Sequence, residues 1–237
     1  MKELKKHIES RILPQYDHFD KAHRRDHATM VIGQSIQLAQ HYDVEIAMVY
    51  AIAAYHDLGL CEGRENHHTA SARIVRNDRI LKEFFTQEQI DIMADAVEDH
   101  RASNSHEPRT IYGKIVAEAD RIIDSTTIMR RTVQYGLSHC PTLAKEDQIE
   151  RAVAHIKEKY GHGGYLKLWI PESPNAARLD EFRSLIDDTT ELRRRLEQIY
   201  EEETACGTSP VPLSPYGQPT PELLPCFRGA PQSGEGY

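Results

Sequence analysis

The chain of 237 residues carries 29 Lys and Arg against 37 Asp and Glu, a formal net charge of -8, with 39% hydrophobic residues. That length suffices for one large or two small domains with a buried core, and the acidic balance disfavours non-specific binding to nucleic acid or anionic lipid. Met1 to His7 shows no apolar stretch after its charges, so no secretory signal is expected, and the longest apolar run, Ile46 to Tyr55, is too short to span a bilayer. Four cysteines (Cys61, Cys140, Cys206, Cys226) lack CxxC spacing, which supports neither a disulfide framework nor a zinc ribbon. A soluble cytoplasmic protein is the expectation.

Helical periodicity then runs through most of the chain. Asp26 to Gln40 places Ile32, Ile36 and Ala39 at helical spacing. Asp43 is positioned to cap a helix from Val44 to Leu58, with Gly59 as its stop. A further helix is expected from about His68 to Asn77. The next opens on Thr86-Gln87-Glu88-Gln89, a capping-box pattern, and carries Ile90, Met93 and Val97 toward His100. After a polar loop ending at Pro108, a long helix carries Ile111, Ile115, Ala119 and Ile122. A helix ends at His139-Cys140-Pro141, another covers about Glu146 to Tyr160, and a last one covers Leu179 to Glu202. Nothing alternates with period two for long enough to make a sheet, so the fold class is all-α. From Thr204 onward, seven prolines and five glycines fall in a segment without periodicity, which predicts a disordered tail over residues 204–237.

Chemistry concentrates where helices begin and end. His27 opens one helix, His56-Asp57 closes another, and Asp120 follows Glu118 on a third. Imidazole nitrogen and carboxylate oxygen suit iron, manganese, zinc and related divalent ions. His27, His56, Asp57 and Asp120 therefore make a two-histidine, two-carboxylate set with open positions for water or substrate. His67, just before the small residues Thr69-Ala70-Ser71-Ala72, and His100, at the end of its apolar stripe, add to that set. Glu118, two residues from Asp120 and on another face, reads as structural. Gly161-His162-Gly163-Gly164-Tyr165 lacks the setting of a phosphate loop and reads as a turn.

The ordered contexts Ala54-Tyr55-His56-Asp57-Leu58-Gly59, His67-His68-Thr69-Ala70-Ser71-Ala72, Asp99-His100-Arg101 and Ala117-Glu118-Ala119-Asp120-Arg121-Ile122, with His27 ahead of them, resemble the HD-domain metal-dependent phosphohydrolase superfamily. The resemblance spans roughly residues 20 to 125. It implies a helical HD-type domain over residues 1–203, with its metal-binding core at about 20–125 and a helical extension over 126–203. His27, His56, Asp57 and Asp120 become the first metal shell, while His67 and His100 match members that hold two metals bridged by Asp57. His68 stands as the alternative to His67. Iron or manganese is the first expectation for the ions, with zinc, magnesium, nickel and cobalt also compatible.

The implied reaction is hydrolysis of a phosphoester or phosphoanhydride by hydroxide from metal-coordinated water. A small phosphorylated substrate is expected, a nucleotide first, because the pattern is similar to small bacterial nucleotide hydrolases such as the HD-type diadenosine tetraphosphatases. The Gly-Tyr-Pro signature of the cyclic-di-GMP phosphodiesterase branch is missing. Asp57 and Lys114 are the expected catalytic residues, with Arg24, Arg101 and Lys114 as cations for the substrate's phosphate. Two other readings accompany this one: a di-iron oxygenase acting on a small polar substrate, and a non-catalytic ligand-sensing module. Self-association is left open.

Overall fold

The computed structural model describes residues 1–20, 23–104 and 106–205. They form an all-α fold with no strand among them. By its internal contacts the chain divides into two compact units, one of Met1–Asp124 with Lys159–Ser184, the other of Ser125–Glu158 with the chain from Leu185 onward.

The first unit begins with α1 (Lys2–His7), which runs into a π-turn at Ile8–Ile12 and a 3-10 turn at Leu13–His18. These turns bury Leu4, Ile8, Ile12 and Tyr16. They are followed by α2 (Arg25–Ala39), α3 (Ile46–Tyr55), α4 (His67–Asn77), α5 (Gln87–Asp99) and α6 (Ile111–Asp120). Helix α3, Ile-Ala-Met-Val-Tyr-Ala-Ile-Ala-Ala-Tyr, buries every residue from Met48 to Tyr55. A helix that is apolar all round belongs at the centre of a core, and α2, α4, α5 and α6 pack around it. Each fully buried Val, Ile or Met there contributes roughly 1.5–3 kcal/mol relative to exposure.

Local chemistry sets where these helices start and stop. The capping box at α5 forms: Thr86 Oγ1 accepts the Gln89 N–H at 3.3 Å and Gln89 Oε1 accepts the Thr86 N–H at 2.9 Å. Thr110 Oγ1 likewise accepts the Gly113 N–H at the start of α6. Asp43 does not cap α3, whose first turn follows Glu45 without a side-chain cap. Helix α6 stops at Asp120, because Arg121 turns into an extended conformation, and so does not reach Ile122. Past α3 the chain forms a 3-10 turn at Leu58–Glu62. A Cβ on Gly59 would lie 2.1 Å from the His67 carbonyl oxygen and 2.5 Å from the Ser71 nitrogen, so only glycine lets this turn touch the start of α4. Ser71 Oγ accepts the Gly59 N–H at 2.8 Å and ties the two together.

A polar network around Glu118 ties the returning segment Lys159–Ser184 into this unit. Glu118 is fully buried on α6. Its carboxylate accepts the Trp169 N–H at 2.8 Å and the Asn175 side-chain amide at 3.0 Å, and the same amide reaches the Glu118 and Arg121 carbonyls at 3.1 Å. A buried carboxylate is tolerated only when its acceptors are filled in this way. Glu118 is thus structural.

The second unit contains α7 (Ser125–His139), most of α8 (Lys145–Tyr160), the end of α9 (Asn175–Asp187) and α10 (Thr189–Ala205). Met129, Val133, Ile149, Leu192, Leu196 and Ile199 are buried in it. The single helix expected from Leu179 to Glu202 is two helices, because Asp188 interrupts it and its Oδ1 accepts the Glu191 N–H at 3.0 Å, as an N-cap does. Thr204 and Ala205 close α10, so the helix runs past the expected start of the tail; the remainder of that segment, 206–237, lies outside the described residues. No helix among the described residues is long and apolar enough to cross a membrane.

Candidate metal centre

Five helix ends of the first unit deliver the site. His27 lies in the first turn of α2, His56 is the residue after α3 with Asp57 next, His67 opens α4, His100 follows α5, and Asp120 is the last residue of α6. Three of these ends are C-termini, whose partial negative charge favours a cation. His56 and His100 are buried, Asp57 is 3% exposed, and Asp120 keeps about a quarter of its side-chain surface open.

Asp57 sits at the middle. Its Oδ2 lies 3.3 Å from His56 Nε2 and 3.7 Å from His27 Nε2, while Asp120 Oδ1 lies 3.1 Å from His27 Nε2 and 3.7 Å from His56 Nε2. Its other oxygen, Oδ1, lies 3.5 Å from His67 Nε2 and 3.4 Å from His100 Nε2. The paired Nε2 atoms are 3.3 Å apart in each half, His27 to His56 and His67 to His100. Donors held about 2.0–2.2 Å from a shared ion stand roughly 3.0–3.5 Å from one another in octahedral or tetrahedral arrangements. Five of the side chains thus form two groups of three, His27, His56 and Asp57 and then Asp57, His67 and His100, joined through the two oxygens of Asp57, with Asp120 beside the two histidines of the first.

The outward nitrogens are organised too. His56 Nδ1 donates to the Ala53 carbonyl at 2.8 Å, His67 Nδ1 to Arg64 at 2.8 Å and His100 Nδ1 to Val97 at 2.6 Å. Each bond places a hydrogen on Nδ1 and so makes Nε2 the nitrogen available to a metal once the ring is neutral. His27 Nδ1 is buried without a hydrogen-bond partner. Donor type and spacing fit divalent metal, as does the Nδ1 bonding of three of the four histidines.

Charge follows the same division. Burial alone would lower His56, yet the charges of Asp57 and Asp120 and the hydrogen bond to Asp57 lift it to about 9. His67 is pushed down to about 4 by burial and by the charge of His100. Both carboxylates stay ionised despite burial: His56 and His100 hold Asp57 well below the usual range, and the His27 hydrogen bond together with His56 does the same for Asp120.

The other residues singled out from sequence lie around this cluster. His68 does not enter it. Its ring is 5.6 Å from that of His67 and lines a cavity of about 390 Å³ with Glu98, Asn104, His106, Glu107 and Arg109. Arg24 is the exposed residue before α2, three positions ahead of His27. Arg101 donates to the Glu65 carbonyl at 2.8 Å, and the Lys114 ammonium pairs with the Glu107 carboxylate. Lys159, not singled out from the sequence, lies within the electrostatic reach of Asp120. It is half-buried, and the charges of Asp120, Arg121 and Arg64 reach it while burial pushes its ammonium down.

The geometry defines a class first: a histidine–aspartate centre for divalent cations, assembled from the ends of five helices. The HD domain family model matches residues 24–123, the stretch that carries all six of these side chains. That stretch is an HD domain, and the HD domain family consists mostly of metal-dependent hydrolases. Neither a curated protein nor a solved structure matches the chain.

Proposed function

We propose that the protein hydrolyses a phosphoester or phosphoanhydride in a small phosphorylated molecule, a nucleotide first, using two divalent cations. In this reading His27, His56, Asp57 and Asp120 hold one ion and Asp57, His67 and His100 the other, with manganese or iron as the first choices. The observation that carries it is the division of Asp57, one oxygen turned to each cluster. Such ions, when bound, supply a water acidified toward neutrality and positive charge for phosphoryl oxygens.

The chain's own residues do the rest. Asp57 holds both clusters in register and stays ionised at neutral pH, because His56 and His100 stabilise its charge. Asp120, the more open carboxylate, leaves room beside the first cluster for substrate. Phosphate oxygens beyond the ions need cations from the protein. Arg24 and Arg101 flank the site in sequence, and Lys114 can serve only if its pair with Glu107 opens. Lys159, half-buried and subject to the charge of Asp120, is a further candidate.

The test is a panel of nucleotides and simple phosphomonoesters and diesters, assayed for phosphate or nucleoside monophosphate release with manganese and with ferrous iron, without dioxygen. Turnover that is lost in Asp57→Ala supports the proposal. Turnover that requires dioxygen transfers the site to oxygenase chemistry, and tight nucleotide binding without turnover makes the domain a sensor.

A further inference from the structure

The end of α3 is built in an unusual way, and a residue far from it in sequence is responsible. Continuing the helix by one turn would join the Asp57 N–H to the Ala53 carbonyl and the Leu58 N–H to the Ala54 carbonyl. Instead the Ala53 carbonyl takes the hydrogen of His56 Nδ1 at 2.8 Å. The two groups left over, the Asp57 N–H and the Ala54 carbonyl, meet one hydroxyl. Tyr16 donates its O–H to the Ala54 carbonyl at 2.9 Å and accepts the Asp57 N–H at 3.3 Å.

Tyr16 is fully buried, held in the 3-10 turn Leu13–His18 with the Phe19 ring edge-on at 5.4 Å. At the end of α5 no such hydroxyl intervenes in the hydrogen bonds of the Val97 carbonyl, which takes His100 Nδ1 at 2.6 Å while the His100 N–H stands off at 3.5 Å, so ring and backbone do not both bond it closely.

We propose that Tyr16 is a positioning residue for the metal ligands His56 and Asp57: its hydroxyl takes the backbone groups at the end of α3, so that the Ala53 carbonyl is left free to orient the His56 ring. This inference rests on the ligand set proposed above. Without the hydroxyl, the Asp57 N–H is a buried donor lacking a partner, and such donors seek the nearest acceptor. That acceptor is the Ala53 carbonyl, so the backbone N–H and the imidazole compete for it. His56 then loses its fixed tautomer and Asp57 shifts with its own backbone. Partners that orient a metal-binding histidine from behind are worth about 10–100-fold in metal affinity.

The experiment compares Tyr16→Phe with Tyr55→Phe. Tyr55 is a second buried phenol, and its hydroxyl serves Asp78 at 2.6 Å and His7 at 3.1 Å. Zinc affinity is measured by competition with a chelator, and the His56 Nδ1 hydrogen is followed by nitrogen-edited NMR on the zinc-loaded protein. Tyr16→Phe is expected to bind zinc about 10–100-fold more weakly and to lose exchange protection of that hydrogen. Tyr55→Phe is expected to melt at a lower temperature with both readouts unchanged. Zinc affinity and protection that survive in Tyr16→Phe overturn the proposal, as does unprotected His56 Nδ1 in the unsubstituted protein, a readout that needs no variant to fold. Unsubstituted protein that binds no divalent ion overturns the ligand set itself, a separate and recognisable failure.

Discussion

The two halves of the centre share Asp57 and differ in almost everything else. The first half, with His27, His56 and Asp120, adds a second carboxylate and offers four donors. The second, with His67 and His100, offers three donors and only the shared charge. The consequence is visible in the histidines, since carboxylates lift His56 to about 9 while burial and a neighbouring imidazole press His67 to about 4. The halves also differ behind the ligands: both rings of the second are tied to carbonyls three residues back, whereas in the first His56 has such a tether and His27 has none. In the proposed two-ion reading, the first half has the more charge to offer a cation and is expected to bind its ion more tightly, and the second is expected to depend on Asp57 being in place.

Removing what the halves share is the strongest way to break the comparison. Asp57→Ala is expected to abolish both ions and to lower turnover by on the order of 10³-fold or more, since the shared oxygens serve both clusters; metal analysis and phosphate release measure it. Asp120→Asn keeps the shape and takes one charge from the first half alone. It is expected to weaken the tighter ion by about 10–100-fold and to bring the two affinities together, which a two-site calorimetric titration would resolve. Unchanged affinity in that variant would mean that Asp120 is not a ligand.

Smaller effects sharpen the picture around the cluster. Glu118→Ala unpairs the Trp169 N–H and the Asn175 amide behind Asp120. The expected loss of stability is about 1–3 kcal/mol by denaturant unfolding, with two metal equivalents retained. Lys159→Gln is expected to raise KM several-fold for a phosphorylated substrate and to leave metal content unchanged. Equal KM values would remove Lys159 from substrate binding.

What could be read in the sequence was whatever depends on near neighbours. The apolar run ending in His56-Asp57, the capping box at Thr86 and the placement of candidate ligands at helix ends all follow from local periodicity and capping, and the structure brings those six side chains together. Features made by distant residues had no such signal. Tyr16 reaches Asp57 across 41 positions, and Asn175 reaches Glu118 across 57. Asp188 falls inside the apolar stripe expected to be one helix, and nothing in the local pattern marks its carboxylate as the cap of a new one. Lys114 lay at a suggestive distance from Asp120 along the helix, but one-dimensional spacing did not reveal Glu107 as its partner.

Two ions held by separable clusters would be lost one at a time. Manganese equivalents per chain, counted by elemental analysis after dialysis in the unsubstituted protein and in His100→Ala, test this directly. The expected result is two equivalents in the first and one in the second, with the remaining ion on the His27, His56, Asp57 and Asp120 side. Two equivalents retained without His100, or a single equivalent in the intact chain, would contradict it.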